Sequence, residues 1–445
     1  MSPARLSLVA GLCLAACESA PGPSRARPGE SVRIVITLDE ETAGPVEPVV
    51  PRRSAIANRL IERAARAQQP IRAWLVAHGG EDLVSLPIIN GLAVTVPPRL
   101  LPEVRAHPGV RSVTLDRVVT VPPSGAQEDV GPRWNLDAIR APQLWRLGYT
   151  GKGIVVANLD SGVDLTHPDL QSGYRGGTNS WFDPFDHSAE PFDPIGHGTQ
   201  VMALLAGGAS SGSPLGVAPG ASWIAARIFD ADGRSSVSVI HQAFLWVLDP
   251  DGDPATADAP AVVNASWAIG AVNACDRTFA RDLELLDQAG IAVVFAAGNA
   301  GPYESSSMSP ANNDGAFSAG SVDAAASVDS LSSRGPSACT GKAFPDLVAP
   351  GASVFTADLS FGGLAQYTTV SGTSFAAPHV AGALALLAGA HPDARPAALY
   401  EALRLSAVDL AQDGSGRGLL DVYAAHLALS EEGPRREVPS PGGSP

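Results

Sequence analysis

Four short segments carry residue types that can do chemistry together. "NLDSGVDLTHPDL" holds Asp160 directly after an apolar run, and "GHGTQVMALLAG" puts His197 at the mouth of an apolar stretch. "FAAGNAG" presents Asn299 and "SGTSFAAPHVAG" presents Ser374. A serine hydroxyl is a poor nucleophile unless a base takes its proton as it attacks, and a histidine of near-neutral pKa suits that task. A carboxylate can fix the histidine tautomer and stabilise the imidazolium that forms. Each residue also has a plainer reading: Ser374 as a helix N-cap, Asp160 as the cap of a turn, His197 as a helix start, Asn299 as the holder of a Gly-flanked turn. Taken one at a time, the segments leave both readings open.

The elements that must position these residues follow from hydrophobic patterning. Beyond residue 130, the apolar runs "GIVVANLD", "WIAARIF", "AVVNASW" and "IAVVFAAGN" alternate with helical stretches such as "SVIHQAFLWVL" and "DLELLDQAG". Continuous apolar strands separated by helices predict an α/β domain, a mostly parallel sheet with helices on both faces. Ligands of such sheets sit at the carboxyl ends of strands. Asp160 and Asn299 stand at such ends.

Ahead of it lies a smaller pattern. "SVRIVITLDE" alternates like a strand, and "SAIANRLIERAARAQQPIRAWLVAHGG" repeats apolar residues at helical spacing, with a break expected near Pro70 and a stop at Gly79-Gly80. "LVSLPIINGLAVTVP" reads as two strands around Asn90-Gly91, "PRLLPEVRAHPG" as a short helix and "VRSVTLDRVVTV" as a last strand. The order β-α-β-β-α-β predicts a ferredoxin-like α+β domain. A turn-rich linker, "PPSGAQEDVG", follows.

In this order, the four segments resemble the subtilisin-like serine proteases, the subtilase family, from about residue 130 to 429. "GVAPGA", "SSRGP" and "DLVAPG" add to the match, and "SWFDPF", "SRGPSACTG" and an acidic insertion resemble a bacillopeptidase F-like branch. The resemblance implies a serine endopeptidase working through an acyl-enzyme, with Ser374 as nucleophile, His197 as general base then acid, Asp160 as its orienter and Asn299 as oxyanion donor. It requires no cofactor. "IFDADGRSS" and "NASWAIG" resemble the two backbone segments that hold an extended peptide as an added strand. On that carry-over Gly233 and Ser235 line one side, and Ser266, Trp267 and Ala268 the other. Gly298 joins the substrate-binding set. Ala268 stands where the family commonly has glycine, with Met308 expected at the pocket floor, which implies apolar or aromatic residues before the cut. Gln200 replaces a second, non-catalytic histidine. "GGASSGSP" lacks the carboxylate or amide ligands of the loop that often binds calcium, so no metal is expected there. The small domain resembles the family's inhibitor propeptide, with self-cleavage expected between about Val118 and Asp129. A catalytically silent peptide-binding surface protein, and an independent adhesion domain at the N-terminus, are the alternatives.

Bulk properties agree with a globular chain of 445 residues, 45% apolar and 17% charged. Residues 1–125 carry a net charge of +3 and residues 126–445 one of −18, together −15. A basic piece would be drawn to the acidic remainder, and an acidic remainder excludes nucleic acid as the expected partner. "MSPARLSLVAGLCLAACESAPG" reads as an export signal, and "LAAC" at 14–17 resembles a lipobox that would lipidate Cys17. The expected locale is the cell envelope as a lipoprotein, or secretion. Cys275 and Cys339 form one disulfide or stay as buried thiols. In "DPDGDPATAD", Asp249, Asp251, Asp253 and Asp258 make either a calcium loop or a solvated acidic loop; Pro250 and the placing of Gly252 do not fit an EF-hand. His187, His241 and His379 have no metal-ligand spacing and read as ordinary helix or loop residues. The expected organisation is a signal over 1–16, a linker over 17–30, a propeptide domain over 31–121, a protease domain over 122–429 and a disordered tail over 430–445.

Overall fold

The computed structural model describes residues 31–39, 53–122, 125–126, 133–362 and 364–431. The signal, the lipobox Cys17, the whole of the first linker and nearly all of the tail lie outside them. The N-terminal unit comprises β1 (Val32–Leu38), α1 (Arg53–Ala77), β2 (Glu81–Leu86), β3 (Gly91–Val96), α2 (Leu101–Ala106) and β4 (Val110–Leu115). Its antiparallel sheet has the order β2-β3-β1-β4, the ferredoxin-like arrangement.

Three local expectations change. α1 runs unbroken through Pro70. Pro70 lies on the exposed side, so the carbonyl it leaves unpaired faces water, while Ala64, Gln68, Ile71 and Leu75 keep the buried stripe intact. Between β2 and β3 stands a 3₁₀ turn, Pro87–Ile89, closed by Asn90 at φ +46°. Ile88 there is buried against the second domain. The expected last strand is two: β4 stops at Leu115, and β5 (Val118–Thr120) leaves the sheet.

β6 (Gly125–Ala126), α3 (Trp134–Ala138) and α4 (Ala141–Arg146) lead into the large domain. It continues with β7 (Val155–Asp160), α5 (Pro168–Gln171), β8 (Trp181–Phe182), α6 (His197–Ala206), β9 (Ser222–Arg227), β10 (Arg234–Ser236) and α7 (Val237–Leu248). β11 (Val262–Ala265), α8 (Ala280–Gln288), β12 (Ala292–Ala296), β13 (Phe317–Val322) and β14 (Leu347–Pro350) complete the sheet region. β15 (Val354–Phe361), β16 (Leu364–Ser371), α9 (Thr373–Ala390), α10 (Pro396–Ser406) and α11 (Val422–Glu431) close the chain.

The seven-stranded sheet runs β14-β13-β12-β11-β7-β9-β8, every pair parallel. Side chains alternate along each strand. In β12, Ala292, Val294 and Ala296 meet the core under α6 and α9, while Val293 and Phe295 meet the core under α7 and α8. α9 is the one helix among the described residues long and apolar enough to cross a membrane, yet it is buried in this core. Cys275 and Cys339 are joined, Cα atoms 4.7 Å apart, closing 64 residues of chain. On the loop-entropy scale that restrains the unfolded chain by about 4 kcal/mol.

The small domain sits on α7 and α8. Val35, Leu60, Leu86 and Ile88 share one core with Val237, Ile240, Phe244 and Leu283. Asp116 accepts from the backbone N–H (2.9 Å) and hydroxyl (2.7 Å) of Ser238, so a carboxylate of one domain caps the first turn of a helix in the other. Arg117 pairs with Asp276 at 2.6 Å. Burial raises the Asp276 pKa, and the Arg117 and Thr278 hydrogen bonds more than offset it, so the carboxyl stays below its ordinary value.

Candidate active site

Asp160 is the last residue of β7, and His197 the first of α6, whose N-cap is Gly196 at φ +100°. A Cβ on Gly198 would lie 2.2 Å from the Gly162 carbonyl oxygen, so only glycine lets the helix start approach the strand end so closely. His197 Nδ1 donates to Asp160 Oδ1 at 2.8 Å, both residues buried. The tautomer follows: Nδ1 carries the proton, and Nε2 keeps a lone pair with no hydrogen-bond partner. Burial disfavours the imidazolium, but the charge and hydrogen bond of Asp160, helped by the charge of Asp193, outweigh it and hold the His197 pKa above its ordinary value.

Ser374 is the second residue of α9, after an N-cap at Gly372 with φ +139°. Its hydroxyl caps nothing: it donates to the Ser266 carbonyl at 3.2 Å, and no hydrogen bond joins it to His197. Asn299 follows β12. Its Oδ1 accepts from the N–H (2.9 Å) and hydroxyl (2.8 Å) of Thr373. Those two donors settle which end of the amide is oxygen and leave Nδ2 free to donate beside Gly372. Asp160, His197, Asn299 and Ser374 thus come together at the carboxyl ends of β7 and β12 and the amino ends of α6 and α9. A hydroxyl, a buried imidazole with a free lone pair and an amide donor at a helix N-terminus suit attack on a carbonyl and stabilisation of the oxyanion formed.

Several residues that hold this arrangement escaped the sequence reading. Asp193 accepts from the N–H groups of Ile195, Gly196 and Thr199 at 3.0, 2.9 and 2.9 Å, fixing the entry to α6. Its signal was present, an Asp a few residues ahead of an apolar helix. Asn158 and Asn264, polar residues inside apolar strands, were the other signal. Asn264 donates to Asn158 (3.0 Å) and Ser266 (2.9 Å), and Ser266 donates to the Ser374 carbonyl at 2.6 Å. Asn158 in turn donates to the Gly198 carbonyl at 3.3 Å, so one buried network ties the α6 and α9 starts together.

The expected substrate segments divide. β5 pairs antiparallel with β10, Val119 opposite Ser235 and Thr120 opposite Arg234, and Val121 N–H donates to the Gly233 carbonyl at 2.9 Å. The tail of the small domain thus lies on the Gly233–Ser235 edge, with Val121 packed on Gly233. β6 then pairs with the end of β16, Gly125 opposite Ser371, three residues before Ser374. On the other side, the Trp267 ring is fully buried in the core and donates to the Leu159 carbonyl at 3.0 Å, so its side chain cannot line a substrate groove. Ala268 is half-buried, and Ile269 bridges antiparallel to Ser309. Met308 lies against Gly298, whose φ of +107° favours glycine.

The three other histidines read in the sequence find these places. His379 Nδ1 donates to Phe375 O (2.7 Å), and Nε2 accepts from Asn135 (2.8 Å). Burial lowers its pKa to about 4, so it stays neutral. His187 is a loop residue at φ +52°. His241 pairs with Asp282 inside the protein. Gln200 donates weakly to Asp358, at 3.4 Å. In the "GGASSGSP" loop, the Ser210 and Ser211 N–H groups donate to Asp169, which also accepts from the Tyr367 hydroxyl at 2.7 Å.

The model of the subtilase family matches residues 151–421. This chain belongs to the subtilase family. It is 31% identical over 421 residues to bacillopeptidase F of Bacillus subtilis (strain 168), covering 85% of this chain and 29% of that protein. It is 31% identical over 356 residues to subtilisin E of the same organism, covering 78% and 83% of the two, and 33% identical over 296 residues to subtilisin of Bacillus pumilus, covering 66% and 98%. The solved structure of fervidolysin from Fervidobacterium pennivorans, a keratinolytic enzyme related to subtilisin, superposes with a TM-score of 0.67 at 22% identity, covering 91% of this chain and 62% of that one. That likeness carries the subtilisin-like α/β fold. The alignments take in under a third of bacillopeptidase F and under two thirds of the fervidolysin chain.

Proposed function

We propose that this subtilase is a serine endopeptidase made as a self-processing zymogen. The observation that carries the reading is the Asp160–His197 pair with its free Nε2 lone pair, set at the same strand ends as Ser374 and Asn299. Catalysis begins when the Ser374 hydroxyl rotates from the Ser266 carbonyl to His197 Nε2. Oγ then bonds to the carbonyl carbon of the scissile peptide, and its proton passes to Nε2. Asn299 Nδ2 and the Ser374 N–H, the latter at the positive end of α9, stabilise the oxyanion. The imidazolium, balanced by Asp160, returns the proton to the amine as the C–N bond breaks. Water, deprotonated by the same nitrogen, cleaves the ester and restores the hydroxyl.

Residues 31–121 act as the inhibitor in cis. Their β5 tail fills the Gly233–Ser235 edge as a substrate strand would, and the chain reaches Ser371 by Gly125; on this reading the maturation cut falls between Val121 and Gly125. Substrates are polypeptides bound as an added strand, with Ala268, Gly298 and Met308 favouring an apolar or aromatic residue before the cut. Export, and lipid attachment at Cys17, rest on the N-terminal sequence alone. The test is labelling by a fluorophosphonate probe, together with N-terminal sequencing and intact mass of the native protein. Labelling at Ser374 and a new N-terminus within 122–125 are expected. A wild-type protein that does not label after removal of its N-terminal domain overturns the enzymatic reading, and a Ser374→Ala chain that still matures itself overturns self-processing.

A further inference from the structure

We propose that Asp249, Asp251 and Asp258 bind one calcium ion and so tie the loop between α7 and β11 to the turn around Asn179. Oxygens of the three carboxylates lie within 4.8 Å of one another, the one such cluster among the described residues. That is the largest separation two oxygens can have when each stands about 2.4 Å from a shared ion. Asp249 points to a ligand independently of the clustering. It is only 7% exposed, and both its oxygens are buried without any hydrogen-bond donor. A buried carboxylate with no donor is a costly arrangement that a protein retains when a cation completes it.

The neighbours leave room for that cation. Asp258 Oδ2 accepts from Asn179 Nδ2 at 2.9 Å, while its Oδ1 is buried and unpartnered. Asp251 is exposed; its Oδ1 accepts from the Asp253 N–H (2.8 Å) and the Thr256 hydroxyl (3.1 Å). The positive charge at hand, Arg175, donates to the carbonyls of Asp258 and Asn179 and to the Ser180 hydroxyl rather than to any of the three carboxylates. An all-oxygen, multiply anionic set with one face open to water selects a hard divalent ion. Calcium accepts six to eight oxygens in flexible geometry, whereas magnesium demands a near-ideal octahedron and dehydrates reluctantly, which a site already closed around Asp249 disfavours.

The loop sits where α7 ends and before β11 begins, at the opposite end of the sheet from Asp160. Calcium there should govern stability rather than the chemical step. The test uses the full-length chain carrying Ser374→Ala, to prevent self-digestion, stripped with a chelator and titrated with calcium chloride or magnesium chloride. Bound calcium is read by equilibrium dialysis and the melting temperature by calorimetry. Asp249→Asn and Asp258→Asn are each expected to bind one calcium equivalent fewer and to lose most of the calcium-dependent rise in Tm, while Asp253→Asn keeps both. In chelator, Asp249→Asn should melt at or above the parent, because it removes uncompensated charge; this also shows that the variant folds. Equal calcium equivalents in parent and Asp249→Asn, a lower Tm of Asp249→Asn in chelator, or an equal Tm rise with magnesium would each overturn the proposal.

Discussion

Two buried His–Asp pairs among the described residues share the same first contact. His197 Nδ1 meets Asp160 Oδ1 at 2.8 Å, and His241 Nδ1 meets Asp282 Oδ1 at 2.8 Å. Both histidines are at most 4% exposed, and in both pairs the second carboxylate oxygen is buried without a partner. The difference lies in what surrounds the second ring nitrogen. His197 starts a helix at the carboxyl edge of the sheet, beside Ser374 and Asn299. His241 lies inside α7, edge-on to Phe279 at 5.0 Å, beneath the docked small domain. An aspartate can orient a histidine anywhere; only the strand-end setting brings that histidine to the region of a hydroxyl and an amide donor, which the proposed acyl transfer requires.

Substitutions can break or sharpen that contrast. The largest effect is expected for Ser374→Ala, a loss of about 10⁶-fold in kcat measured on a peptide substrate after activation. Asp160→Asn should leave the fold in place and cost about 10⁴-fold through the wrong tautomer, whereas Asp282→Asn should change kcat by less than about threefold. A comparable loss at Asp282 would show that the second pair takes part in the reaction. Asn299→Ala is expected to lower kcat by about 10²- to 10³-fold with little change in KM. The pH profile is the finest test. Because Asp160 and Asp193 raise the His197 pKa, the acid limb of kcat/KM should have its midpoint above about 6.5, the ordinary imidazole value. The same linkage makes the stability contributed by the protonated pair present in full below the unfolded value and lost as pH rises through the folded one. A midpoint below 6.5 would mean that burial wins over the carboxylates.

The two domains differ in how legible they were. In the large domain, long apolar strands and Gly-flanked polar segments gave the sheet and the four polar positions at its strand and helix ends directly, because buried parallel strands leave a strong local pattern. In the small domain the element order was readable, but Pro70 misled: whether a proline breaks a helix depends on which face it occupies. "VRSVTLDRVVTV" misled for a similar reason, since β4 and β5 share one alternating pattern while Asp116 and Arg117 between them turn to partners on α7 and at Asp276. Trp267 reads as part of a backbone edge, and what that reading does not show is where its side chain goes: into a core whose aromatic neighbours, Phe279 and Phe295, come from distant segments.

What the sequence determined by itself was the set of residue types, the α/β class and the family, because those reside in local periodicity and short motifs. Tertiary structure decided the rest: that Ser374 turns to Ser266 instead of capping its helix, that Asn299 is oriented by Thr373, that Cys275 meets Cys339, and that Asp249 is buried beside Asp258. Each depends on two segments far apart in the chain arriving at hydrogen-bonding or bonding distance, and no periodicity in either segment encodes the other's position.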